Sequence, residues 1–318
     1  MDWIDNELSL MNLGDHRLNK RAKSILKTFS LCPDKSIPSA HNGWGETKAA
    51  YRFMSNPKVK PEDILSLHSK ATLNRIEEHE TIVIAQDTTE LDYGRQHEKS
   101  GRGPTNYKSH RGVYLHPLIA MAENGLCLGI LGAKFWHRDI IGGRDNHLIK
   151  PIEEKESFRW LEGLREVNNL GKQFADKKFI MVSDAEADIF EVLAEKVNTN
   201  VSFIIRGCHD RVLSASDLKL KETIKTQYPI AKIEFEFKDR NKSASPYRKV
   251  EQEIRVMKVD IQPSPSRGNR VNKAPATLTV ILATETSQNA SSLEWMLLGA
   301  FDLKRRILHL FNMQFIYY

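Results

Sequence analysis

From Thr81 onward the texture of the chain changes, and that change constrains the fold more than any other feature of the sequence. Short apolar runs at 81–85, 112–121, 126–136, 179–182 and 201–205 have the length and composition of strands. Helical stretches lie at 154–169, between the third and fourth runs, and at 186–196, between the fourth and fifth. Three strands, a helix, a strand, a helix and a strand form an α/β order with an antiparallel start and a parallel continuation. Alternating runs follow at 231–237, 250–259 and 276–283, separated by basic, Pro/Ser-rich segments at 238–249 and 262–275. This second β-rich stretch reads as an inserted β-subdomain with exposed loops.

Residues 1 to about 70 read as a small helical module. Leu18, Ala22, Ile25, Leu26 and Phe29 fall at helical spacing, and Pro33 and Pro38 punctuate its end. Its polar positions are basic: Arg17, Lys20, Arg21, Lys23 and Lys27, then Lys35, Lys48 and Arg52. A basic helix face is by default a solvated one. The whole chain, however, carries 47 Lys+Arg against 41 Asp+Glu, and its +6 charge favours a polyanionic partner, nucleic acid first. The acidic N-terminus is unlike a secretory signal and no segment approaches a membrane span, so a cytoplasmic protein with no membrane partner is expected. Cys32, Cys127 and Cys208 form no CxxC pair, which argues against a disulfide framework or a zinc knuckle and leads us to expect buried thiols.

Two acids end apolar strands: Asp87 in 82–89 (IVIAQDTT) and Asp184 in 179–184 (FIMVSD). Strand ends are where α/β sheets place ligand groups, and two carboxylates brought together there need a hard cation, Mg2+ or Mn2+, between them. Such a pair suits a two-metal displacement at a phosphodiester. Each acid is equally suited to capping a turn or the next helix. Arg206, ending 203–206 (FIIR), could fork onto phosphate or form an ordinary salt bridge. Trp295 could stack on an unpaired base, although a tryptophan among aliphatic residues is by default core. His110 and His116 have no partner at ligand spacing and are given no metal role.

An ordered set of motifs runs along the chain: 13–17 (LGDHR) with Arg21, 50–57 (AYRFMSNP), 86–89 (QDTT), Arg111 with Gly112, 154–157 (EKES) with Trp160, 183–189 (SDAEADI) and 293–295 (LEW). As a set these residues resemble the DDE transposases of bacterial insertion sequences, in the cut-and-paste group that includes the transposase of the composite kanamycin-resistance transposon. The resemblance implies a helical domain at 1–70 that binds transposon-end DNA. After it comes a ribonuclease-H-like, retroviral-integrase-type α/β catalytic core at 71–318, with a β-subdomain inserted at about 207–290. It further implies that Asp87 and Asp184 are metal-binding catalytic aspartates serving two Mg2+ or Mn2+ ions. Arg206 would contact phosphate, Trp295 would stack on a flipped base, and Arg17, Arg21, Lys35 and Arg52 would contact end DNA. Double-stranded DNA, as transposon ends and as target, is the implied partner, and the bacterial nucleoid the implied location.

The third acid of that family is a glutamate on a helix several turns beyond the tryptophan, within a Tyr, Arg, Glu, Lys signature. The sequence reaches Tyr318 ahead of it, and Asp302 stands too close behind the strand to replace it. The basic stretch 303–311 has helical periodicity, while 315–318 (FIYY) would leave large apolar groups at a chain end. A C-terminally truncated or frameshifted transposase, impaired in catalysis and without the region through which full-length members act as dimers, is the expectation. The alternative is a non-enzymatic transposon-end-binding protein that inhibits transposition. A generic ribonuclease-H-like nuclease is disfavoured by the N-terminal motifs.

Overall fold

The computed structural model describes residues 3–94, 101–107, 109–138, 150–214, 218–238, 247–263, 274–287 and 292–301. The tail at 302–318, with Asp302, the 303–311 stretch and 315–318, lies outside the described residues, as do most of the basic segments 238–249 and 262–275. Among the described residues no helix is long and apolar enough to cross a membrane.

Five helices open the chain: α1 (Trp3–Glu7), α2 (His16–Leu31), α3 (Ile37–Ala40), α4 (Trp44–Met54) and α5 (Pro61–Ile76). The Asp15 side chain caps α2 by accepting the Arg17 N–H, and Pro61 starts α5 at a position where no N–H is needed. Ile4, Leu8, Met11, Ala22, Ile25, Ala50 and Phe53 close a small core of their own.

The strands are β1 (Thr81–Gln86), β2 (Thr89–Asp92), β3 (Gly103–Pro104), β4 (Arg111–Ala122), β5 (Cys127–Trp136), β6 (Lys178–Ser183), β7 (Val201–Arg206), β8 (Ala231–Lys238), β9 (Tyr247–Ile261), β10 (Ala276–Glu285) and β11 (Glu294–Ala300). They form one sheet. β5, β4 and β1 are antiparallel neighbours, and β1, β6 and β7 are parallel. β11, β10, β9 and β8 then extend the sheet antiparallel from β7. Beyond Asp87 and Thr88 the chain of β1 continues as β2 along the same neighbour, β4.

The long helix α6 (Phe158–Gln173) lays Trp160, Leu161, Leu164 and Val167 on Ile82, Ile84, Met181 and Phe203. Trp160 and Leu164 are fully buried there, and each such side chain contributes about 1.5–3 kcal/mol. The helix starts later than its sequence pattern suggests, because 152–154 forms a separate 3-10 turn closed by the Lys155 N–H on the Ile152 carbonyl. The stretch 186–196 is also not one helix. It divides into a 3-10 turn (Ala185–Ala187) and α7 (Phe190–Leu193), with Asp188 and Ile189 out of helical conformation between them. The cause is the Asp188 side chain, which is committed to a turn 20 residues away. The remaining α-helix among the described residues, α8 (Leu220–Lys225), packs on β9 and β10.

Helix α5 docks the N-terminal helices onto the exposed edge of β5 by polar bonds. Arg75 Nε donates to the Leu128 carbonyl at 2.5 Å, Ser69 Oγ to the Leu131 carbonyl at 2.5 Å, and His68 Nε2 accepts the Ile130 N–H at 2.8 Å. Three free edge groups at the start of the strand are thereby satisfied. Buried Glu7 of α1 accepts from His68 Nδ1 and from Arg75 Nη1. Gly129 permits the close approach: its φ is +134°, and a Cβ there would lie 2.3 Å from Thr72 Oγ1.

The cysteines depart from expectation. Cys32 is half-buried, whereas Cys127, opening the edge strand β5, and Cys208, in the turn after β7, are exposed. An edge strand and a turn tied by its Cys208 and His209 N–H groups to the Asp188 side chain place neither thiol in the interior.

Candidate functional site

Strand alternation decides which side chains share a face. Ile82 and Ile84 of β1 pack under α6 and Gln86 donates to the Trp160 carbonyl, so Asp87 leaves on the opposite face. By the same count Phe179 and Met181 face α6 and Asp184 does not. Phe203 and Ile205 face α6 while Arg206 does not, and Met296 and Leu298 face it while Trp295 does not. All four residues therefore project from the sheet face away from α6.

β1 and β6 are parallel and in register, Gln86 opposite Ser183, so Asp87 and Asp184 leave adjacent strand ends side by side. Each carboxylate accepts one local backbone N–H: Asp87 Oδ1 from Thr88 at 2.7 Å and Asp184 Oδ1 from Glu186 at 2.9 Å. Among the described residues neither acid forms an ion pair with Lys or Arg. Both remain open to solvent. Partial desolvation raises the pKa of Asp184, and the neighbouring Asp87 charge pushes it further in the same direction. Two carboxylates that repel each other and offer hard oxygen donors fit Mg2+ or Mn2+, whose binding would relieve that repulsion. The capping role weighed for each acid is also real, since both cap their own turns, but it occupies only one oxygen of each.

Arg206, at the end of β7 next to β6, is exposed, and its side chain makes no hydrogen bond or ion pair among the described residues. Trp295 is half-buried and stacks on Phe235 of β8, with ring centroids 6.0 Å apart. In the N-terminal domain, Lys35, in the turn between α2 and α3, and Arg52, on α4, are exposed, and neither side chain makes a hydrogen bond or ion pair among the described residues. Arg17 is held by Asp15 at 3.0 Å, and Arg21 on α2 is paired with Glu46 on α4 at 2.5 Å. The Arg17 side chain holds the Asp15 carboxyl down to about 2.

Two further acids follow Asp184. Asp188 is fully buried: its Oδ2 accepts the N–H groups of Cys208 and His209 at 2.8 Å, and its Oδ1 accepts Arg211 Nη2 at 2.5 Å. Asp188, Cys208 and His209 come within metal-ligand reach of one another, but the carboxylate is already saturated by the guanidinium and two N–H groups. Asp188 thus anchors the turn that follows Arg206 to the turn that follows Asp184. Glu186 is exposed and pairs with Arg159.

The sequence reading did not single out Arg159, Thr88 or Gln86, which surround the two acids. The motifs around 86–89 and 154–160 were the available signal, yet nothing in their spacing identifies which residue bonds across the sheet.

Residues 1–59 match the family model for transposase DNA-binding. Arg17, Arg21 and Arg52, on helices, and Lys35, in the turn between α2 and α3, all fall within this match, which supports a DNA-binding domain of the transposase type at the start of an α/β protein, with DNA as partner. A transposase-like protein is the class this supports.

Proposed function

We propose that this chain is a DDE-type, cut-and-paste DNA transposase of the insertion-sequence group. In this reading the helices to about residue 70 hold double-stranded transposon-end DNA. The sheet from 71 onward is a ribonuclease-H-like nuclease core, with the stretch at about 207–290, β8–β10, as its inserted β-subdomain. The observation that carries it is the side-by-side exit of Asp87 and Asp184 from parallel, in-register β1 and β6, joined to a transposase DNA-binding domain. The strand order β5-β4-β1-β6-β7, antiparallel then parallel, supports the same core.

Asp87 and Asp184 would be the residues that hold Mg2+ or Mn2+, since each carboxylate has only one oxygen engaged by its own turn. Bound there, the cations would activate a water or 3′-hydroxyl and stabilise the leaving oxygen of a phosphodiester. Arg206, uncommitted on the neighbouring strand end, takes the phosphate, and Trp295 on the same face takes the stacking role toward an extruded base. Among the described residues after Trp295 there is no acid to serve as a third carboxylate. The working place of such a protein is the bacterial nucleoid.

The test is to select bound sequences from a random duplex pool with the full chain and then incubate the selected duplex with Mg2+ or Mn2+. Metal-dependent nicking at a fixed position, lost in Asp87→Asn, is expected. Tight binding with no nicking would replace this reading with a non-enzymatic end-binding inhibitor. Nicking indifferent to sequence would replace it with a general nuclease.

A further inference from the structure

A single buried guanidinium touches the flanks of both acids. Arg159, on the first turn of α6, is only 9% exposed. Its Nε donates to Thr88 Oγ1 at 2.8 Å, its Nη2 to Glu186 Oε2 at 2.7 Å and its Nη1 to the Glu156 carbonyl at 2.8 Å. The faces of Trp136 and Trp160 lie 5.3 Å from its Cζ. Thr88 is the residue after Asp87, and Glu186 supplies the N–H that caps Asp184.

The contact continues inward with a defined direction. Gln86 Nε2 faces two acceptors, the Trp160 carbonyl at 3.3 Å and Met181 Sδ at 3.0 Å, so its Oε1 is what meets His116 Nε2 at 3.2 Å. His116 therefore donates from Nε2 and accepts from the Thr88 hydroxyl at Nδ1, 2.9 Å away. Burial lowers the pKa of this ring to about 4, in keeping with the neutral form the bonds require. Thr88, whose hydroxyl hydrogen is directed at His116 Nδ1, is left to accept from Arg159 Nε through its oxygen. Gly163 makes room for the chain: a Cβ there would lie 2.1 Å from Gln86 Oε1.

The backbone ladder between β1 and β6 stops at Gln86 and Ser183, one residue short of the acids. We infer that Arg159 is a positioning residue: its rigid fork, bonded to Thr88 on one side and Glu186 on the other, replaces the missing ladder and sets the spacing of Asp87 and Asp184 for a divalent cation. The inference rests on the reading of those acids as a metal pair. A lysine would keep the charge but not the fork.

The test is Mn2+ binding by the full chain, followed by electron paramagnetic resonance, with thermal melting in the absence of metal. Arg159→Lys is expected to weaken Mn2+ binding about 10- to 100-fold. Thr88→Val should do the same and Thr88→Ser should restore it, with melting lowered in the valine variant, which orphans His116 Nδ1 and Arg159 Nε, and little changed in the serine variant. Mn2+ affinity within threefold of the parent in both Arg159→Lys and Thr88→Val would overturn the inference, even if melting fell. Should Arg159→Lys fail to fold, the Thr88 pair decides alone. Asp87→Asn separates the two levels: if it leaves Mn2+ binding intact, the metal-pair reading itself fails and takes this inference with it.

Discussion

Asp184 and Asp188 lie four residues apart in one acidic motif, yet the structure gives their removal opposite consequences for stability. The Asp188 side chain is 0% exposed and its partner Arg211 9%. Asp188→Ala strands that guanidinium and also orphans the Cys208 and His209 N–H groups. Breaking a buried ion pair from one side costs about 3–5 kcal/mol. Asp188→Asn keeps an oxygen for the two N–H groups but loses the charge-assisted bond, a cost of about 1.5–3 kcal/mol. Asp184→Asn keeps the Oδ1 that caps the Glu186 N–H and removes a charge disfavoured by desolvation and by Asp87. Its stability without metal at neutral pH should equal or exceed that of the parent. Urea unfolding followed by circular dichroism reads all three as shifts in midpoint at constant slope. The double variant Asp188→Leu/Arg211→Met should recover most of the Asp188→Ala loss, since neither charge is then left alone. A loss under about 1 kcal/mol for Asp188→Ala, or an Asp184→Asn loss as large as that of Asp188→Asn, would refute the division of labour between the two acids.

Three other outcomes follow from the same geometry. Because the folded-state pKa of Asp184 is raised, its proton competes with the cation: metal affinity should climb as pH rises through that raised value and level off above it, and Asp184→Asn should abolish the dependence in a pH series of Mn2+ titrations. Arg52→Ala should weaken binding to selected duplex by about 1–3 kcal/mol if the arginine reads a base, or flatten the salt slope by about one charge if it touches phosphate, and Lys35→Ala should flatten the slope only; unchanged affinity and slope would remove both from the interface. Glu46→Gln frees Arg21 from its ion pair and should tighten DNA binding, most clearly at low salt, while an unchanged dissociation constant would mean that Arg21 does not reach the DNA.

The apolar runs of the sequence located β1, β4, β5, β6 and β7 closely, because each is rich in apolar residues and bounded by polar or turn-forming ones. The alternation at 231–237 and beyond marked β8–β10. It could not reveal that β11 pairs with β7 and turns them into an extension of the central sheet, since that pairing joins residues about 90 positions apart. The stretch 186–196 has helical periodicity, but a local pattern cannot register that Asp188 is claimed by a distant turn. Asp87 and Asp184 were legible as acids at strand ends. Their adjacency depends on parallel pairing across 97 residues, which no local signal carries. Arg159 was illegible for the same reason: on a helix it reads as any exposed basic residue, and only the packing of α6 over β1 and β6 buries it against Thr88 and Glu186, which flank the two acids.

The central claim is that Asp87 and Asp184 hold a divalent cation, and anomalous scattering from a crystal of the full chain grown with Mn2+ tests it most directly. A peak within ligand distance of both carboxylates, absent from Asp87→Asn crystals, is the predicted result. A peak at Asp188, Cys208 and His209 instead, or no peak near Asp87 and Asp184 at millimolar Mn2+, would contradict it.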